Sequence, residues 1–212
     1  MQQWRMYQNV VQAGRGSSNL MPPVAGNHAL INFRHQTNIM QLQLPFTALR
    51  LSLLKIDAYL FAVVFALGNL LLPQLVHFIP RGGLIFLPIY FFTLIAAYKF
   101  GWFTGLLTAM LSPLANNLLF GMPPAFVLPI ILIKSCLLAV IAAVVAAKSR
   151  AVSPLLLLLV VAGYQCLGAV AEWAITKSAA AALQDFTTGL PGMLLQIIGG
   201  YFILKKLARY EF

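Results

Sequence analysis

The residues best placed to do chemistry in this chain are a lysine and a glutamate, Lys134 and Glu172, each set in an otherwise apolar stretch. At bilayer depth an ionisable side chain is costly, of order 2.5–3.5 kcal/mol at a span's centre, so it faces a cavity or a partner. Lys134 lies about nine residues from the outer end of its stretch, roughly 13 Å down at 1.5 Å per residue. Glu172 lies about one turn below the outer end of the next. These positions permit a Lys–Glu pair, or a lysine facing an anionic group on a ligand. The plainer alternatives are a structural ion pair and snorkelling to the interface. Asn116 and Asn117, beside Ser112-Pro113, could read a polar ligand through their donors and acceptors, and one of the two could instead cap its helix. Gln196, Gln165 and Tyr164 add polar groups deeper down, where such residues commonly bond neighbouring helices. Trp173 could stack on a ligand ring, although an interfacial anchor is the simpler role.

Signatures of catalysis are thin. The chain has neither G-x-S-x-G nor H-E-x-x-H, and of its acidic residues only Asp57, Glu172 and Asp185 lie near apolar stretches. That leaves little for paired-carboxylate or metal-assisted chemistry, and the expectation is a protein that is not an enzyme, with no metal site. His28 and His35 lie in the N-terminal tail, and His77 lies at a membrane edge. Cys136 and Cys166 sit inside apolar stretches and read as packing thiols. The phosphate-cradling pattern G-x-x-x-x-G-K-[ST] is absent, so transport driven by ATP would need a motor on another subunit.

Composition sets the class. The 212 residues are 61% hydrophobic and 8% charged, with a mean hydropathy of +0.88. That is too little charge to cover a water-soluble surface, and it points to an all-α, multi-pass membrane protein. The net charge of +10 is spread between apolar runs, with no basic block interleaved with aromatics, so nucleic acid is not an expected partner. Spans need roughly 20 apolar residues. The pattern gives six: Ile56–Phe78, Gly83–Tyr98, Gly101–Phe120, Ala125–Ala147, Ser153–Ile175 and Thr188–Leu204. Residues 1–43 are rich in Gln, Asn, Gly and Ser and read as a disordered tail, with Met40 as an alternative start; residues 44–212 form the membrane domain.

Charge placement orients the bundle. With the N-terminus inside, Arg50, Lys55, Lys99, Lys148, Arg150, Lys205, Lys206 and Arg209 are cytoplasmic, and only Arg81 and Lys177 lie outside. Eight against two puts both ends of the six-helix bundle in the cytoplasm. The outer side then receives Pro80–Gly83, Gly121–Pro124 and a long connection, Thr176–Thr187.

Small residues mark close packing. Ala58, Ala62 and Ala66 recur at one-turn spacing on the first span, and such stripes let helices lie close in lipid. Gly101-x-x-x-Gly105 and Gly199-Gly200 are further small sites, best explained by packing within the bundle. The alanine stripe resembles the alanine motif of the substrate-capture subunits (S components) of energy-coupling factor vitamin transporters. Gly101-x-x-x-Gly105-x-x-Thr108, leading through Ser112-Pro-Leu-Ala-Asn-Asn-Leu-Leu-Phe-Gly-Met-Pro-Pro124, resembles that family's third helix and outer loop. Gly189-Leu-Pro-Gly-Met-Leu-Leu-Gln196 is similar to the start of its last helix. The likeness covers roughly residues 44–207.

The resemblance implies a subunit of the bacterial cytoplasmic membrane that binds a small water-soluble vitamin or related micronutrient from outside. It implies docking on a transmembrane scaffold subunit with two cytoplasmic ATPases, which use the ATP; this chain would bind no cofactor. Ala58, Ala62 and Ala66 would be the docking positions. No ligand residue transfers from the family, so Lys134, Asn116, Asn117, Glu172, Trp173 and Gln196 are the expected ligand contacts from depth alone. Lys134 suggests a carboxylate-bearing ligand, whereas a neutral Lys134–Glu172 pair would admit an uncharged one. The rivals are a scaffold of cell-envelope assembly and, further off, a lipid-modifying enzyme.

Overall fold

The computed structural model describes residues 44–46 and 55–210, all in the second of two units, residues 1–41 and 42–212. The N-terminal tail and most of the lead-in before Lys55 lie outside the described residues. The helices are α1 (Ile56–Val76), α2 (Gly82–Phe86), α3 (Phe91–Phe100), α4 (Trp102–Phe120), α5 (Leu128–Ser149), α6 (Pro154–Thr176), α7 (Ala179–Thr187) and α8 (Leu190–Leu207). A 3₁₀ turn, Pro88–Tyr90, joins α2 to α3. Strand β1 (Leu44–Pro45) pairs antiparallel with β2 (Ala151–Val152), Leu44 opposite Val152.

Five of these helices, α1, α4, α5, α6 and α8, are long and apolar enough to cross a membrane. The second expected span, Gly83–Tyr98, is instead broken. Leu87 takes a left-handed conformation at φ 46° ahead of Pro88. A residue before proline is pushed out of the α region, and proline has no N–H to continue the ladder, so the helix stops and restarts. The restarted α3 is ten residues long, about 15 Å.

That short helix is the core of the fold. Of its ten residues only Phe92 escapes full burial, and it packs against α1, α4, α5 and α8. A helix buried on every side, and apolar but for Thr93, Tyr98 and Lys99, sits at the centre of a bundle. Outside it, α1 shows Leu60, Val63, Val64, Leu67, Leu71 and Leu75, and α8 shows Leu194, Ile198 and Phe202, all exposed. The buried set meanwhile includes Asn69, Thr93, Thr108, Ser112, Asn116, Lys134, Gln165 and Gln196. An apolar exterior over a polar interior is the arrangement that lipid favours. The fold is that of an all-α, multi-pass membrane protein.

Helix ends are closed locally. Ser153 Oγ accepts from Leu156 N at 3.2 Å, with Pro154 in the first turn of α6. The expected long loop Thr176–Thr187 is largely helical: Lys177 turns left-handed at φ 55°, and Ser178 Oγ accepts from Ala181 N to start α7. Gly101, at φ 93°, makes the tight turn between α3 and α4, a conformation few other residues adopt. The Gly101–Gly105 motif therefore splits in function. A methyl on Gly105 would stand 2.5 Å from Ala97 Cβ, so Gly105 serves the close packing of α4 on α3.

The alanine stripe is corrected by the structure. Ala58, Ala62 and Ala66 are buried within the chain's own packing, and Thr108 Oγ1 donates to the Ala62 carbonyl across the α1–α4 contact at 3.4 Å. Their methyls let α1 approach α4, while its lipid-facing side carries the branched aliphatics named above. They present no outward docking strip.

Candidate functional site

Two polar clusters lie inside the bundle, and they differ in kind. The first continues the alanine stripe by one turn, at Asn69. Its Nδ2 donates to Thr93 Oγ1 and Ser112 Oγ, each at 3.0 Å, and its Oδ1 accepts from Phe92 N at 3.1 Å. Phe92 is in the first turn of α3, where backbone N–H groups have no partner within the helix. Asn69 thus closes the start of a helix broken at membrane depth. Asn116 Nδ2 donates to the Asn69 and Ser112 carbonyls, each at 3.0 Å. Asn117 Nδ2 donates to Pro123 O at 2.7 Å, tying the α4–α5 loop to its helix. The two asparagines expected at a ligand site are therefore engaged here in joining α4 to α1 and to its own loop.

The second cluster is charged and lies under α7. Lys134 on α5 is 3% exposed, and its Nζ donates to Glu172 Oε2 at 2.5 Å and to Asp185 Oδ2 at 2.8 Å. Glu172 comes from α6 and Asp185 from α7, so one ammonium ties three helices together. Gly168 makes room for it. A methyl there would meet Lys134 Cγ at 2.6 Å, because the lysine stem lies flat on the α6 backbone. Gln165, Gly168 and Glu172 recur at helical spacing on one face of α6, putting the Gln165 amide one turn deeper beneath the lysine.

Next to this triad stand two tyrosines. Tyr164 O–H donates to Gln196 Oε1 at 2.9 Å, and its ring lies 5.5 Å from that of Tyr90. Several fully buried groups here have no partner among the described residues: both polar atoms of the Gln165 amide, Gln196 Nε2 and Ser135 Oγ. Buried polar atoms are normally paired, so a run of orphans beside a charged triad calls for something to complete it. Among the described residues no group of three His, Cys, Asp or Glu side chains gathers as a metal site would require.

Of the expected contacts, Lys134, Glu172 and Gln196 come together in this region. Asn116 and Asn117 belong to the other cluster, and Trp173 is 56% exposed, turned away from the bundle interior. Sequence reasoning missed Asp185, Tyr90 and the depth of Gln165's burial. The signal for Asp185 was available: it is one of four acidic residues in the chain, and it falls in an outer connection.

Fold and site together define a multi-pass helical membrane protein with a buried charged cluster beneath a short helix. Compared with known protein families, curated proteins and solved structures, the chain matches none.

Proposed function

We propose that this chain captures a small polar solute at the Lys134–Glu172–Asp185 cluster, as the membrane-embedded substrate-binding subunit of an ATP-driven importer of energy-coupling factor type. The observation that carries the reading is the charged triad under α7, set among buried polar groups that have no partner among the described residues. An ordinary structural ion pair needs no such neighbours. The motif resemblance supports the importer assignment, as does the lack of a nucleotide-binding pattern in the chain. In this reading the bundle sits in a bacterial cytoplasmic membrane with both ends inside, and its solute is vitamin-like. A scaffold subunit and two ATPases would supply the drive, and the scaffold would meet a face other than the buried alanines.

The test is native mass spectrometry of the full chain extracted into lipid nanodiscs, coupled to thermal-shift measurements against water-soluble vitamins. A small molecule released on unfolding, or a reproducible shift with one compound, is the expected result. No bound molecule and no shift by any compound would overturn the reading.

A further inference from the structure

We infer that the solute taken at this cluster is an organic cation; this rests on the capture function proposed above. The sequence taken alone suggested an anion for Lys134 or a neutral ligand for a lysine–glutamate pair. Asp185 changes the sum. One ammonium faces two carboxylates, so the cluster carries a formal charge of −1. Unbalanced charge in a low-dielectric interior is unfavourable, and a cation of matching size restores neutrality.

The remaining hydrogen-bond capacity points the same way. Lys134 engages Oε2 of Glu172 and Oδ2 of Asp185, and no described group donates to the other oxygen of either carboxylate. The carboxylates are also the more accessible members, with side chains 12% and 13% exposed against 4% for the lysine. An incoming solute therefore meets acceptors before it meets the ammonium. Deeper in, the Gln165 amide offers an unused donor and acceptor side by side, and Gln196 Nε2 an unused donor. A solute with a positively charged nitrogen at one end and a ring or amide edge with both donor and acceptor at the other fits this set.

The sign of the charge gives the experiment. The full chain in nanodiscs is compared with Glu172→Gln, Asp185→Asn, Lys134→Met and Lys134→Arg. The last keeps both ion pairs and serves as the folding control. For each protein the co-purified small molecule is quantified by mass spectrometry. Heats of binding are measured with three probes on one ring: 3-(aminomethyl)pyridine, protonated at its amine, neutral nicotinamide and anionic nicotinate. The expected result is a cationic molecule, or binding of the amine probe alone, weakened on the order of tenfold or more in Glu172→Gln and Asp185→Asn but retained in Lys134→Met. An anionic or neutral solute, or binding lost in Lys134→Met and kept in the carboxamide variants, overturns the cation class and leaves solute capture standing. No molecule and no heat from any probe removes both.

Discussion

Gly168→Ala turns the geometry beneath Lys134 into an energy. The added methyl would stand 2.6 Å from Lys134 Cγ, 3.2 Å from Cε and 3.3 Å from Cδ. Cγ is near the lysine backbone, and Nζ is held by two carboxylates, so the stem is fixed at both ends and cannot swing aside. Overpacking of this kind costs about 1–3 kcal/mol. Against it stands the helical preference of alanine over glycine, about 1 kcal/mol. The net expectation is a loss of roughly 0–2 kcal/mol in the natural background. In a Lys134→Ala background the stem is gone and only the helical preference remains, so the same change should stabilise by about 1 kcal/mol. The coupling energy of the cycle is then about 1–3 kcal/mol, and the effect of Gly168→Ala changes from loss to gain. Reversible SDS unfolding of the four proteins in mixed micelles measures it. Equal effects in both backgrounds, within about 0.5 kcal/mol, would refute the packing of the lysine stem on Gly168.

Two further outcomes follow from the helix contacts. Asn69→Leu removes three hydrogen bonds that join α1 to α3 and α4. At about 0.6 kcal/mol for each interhelical bond in lipid, plus about 1–3 kcal/mol for the orphaned Phe92 N–H, it should cost roughly 3–5 kcal/mol in the same unfolding assay; a loss under about 0.5 kcal/mol would count against the cap on α3. Ala62→Trp should impair folding itself, because the side chain is buried against α4. Its expected signature is a broadened or aggregated peak in size-exclusion chromatography, whereas a monodisperse protein of unchanged melting temperature would return the alanines to an outward face.

The sequence made the long spans legible because length and hydropathy decide them, and five appear at nearly the expected bounds. The broken second segment was legible in principle from Pro88, whose missing N–H cannot be hidden by apolar neighbours. Depth alone permits a Lys134–Glu172 pair or a lysine facing a ligand, and the structure takes the pair, since two charges near one level of adjacent helices seldom ignore each other in lipid. Asp185 was not legible in this way, because whether a connection folds back over the bundle depends on packing between α7, α6 and α8, and no local pattern encodes it. The alanine stripe is a close-contact face in this chain, buried against its own bundle. Small-residue spacing shows that a helix will lie close, and it carries nothing about whether the other helix belongs to the same chain. The rotation of Asn116 on α4 toward Asn69 is likewise set by a helix contact that no local pattern encodes.

The shortness of α3 has a consequence for how the protein enters its membrane. Ten residues of continuous helix, about 15 Å, cover half the hydrocarbon thickness, and its first turn is completed by a side chain from α1. Presented singly to lipid, such a segment would expose bare amides at depth. Its release from the insertion machinery is therefore favourable only once α1 is beside it, and α4, which contributes Ser112 to the same asparagine, closes the group. Biogenesis of this chain should proceed by lateral exit of a preassembled trio, with the later helices added around it.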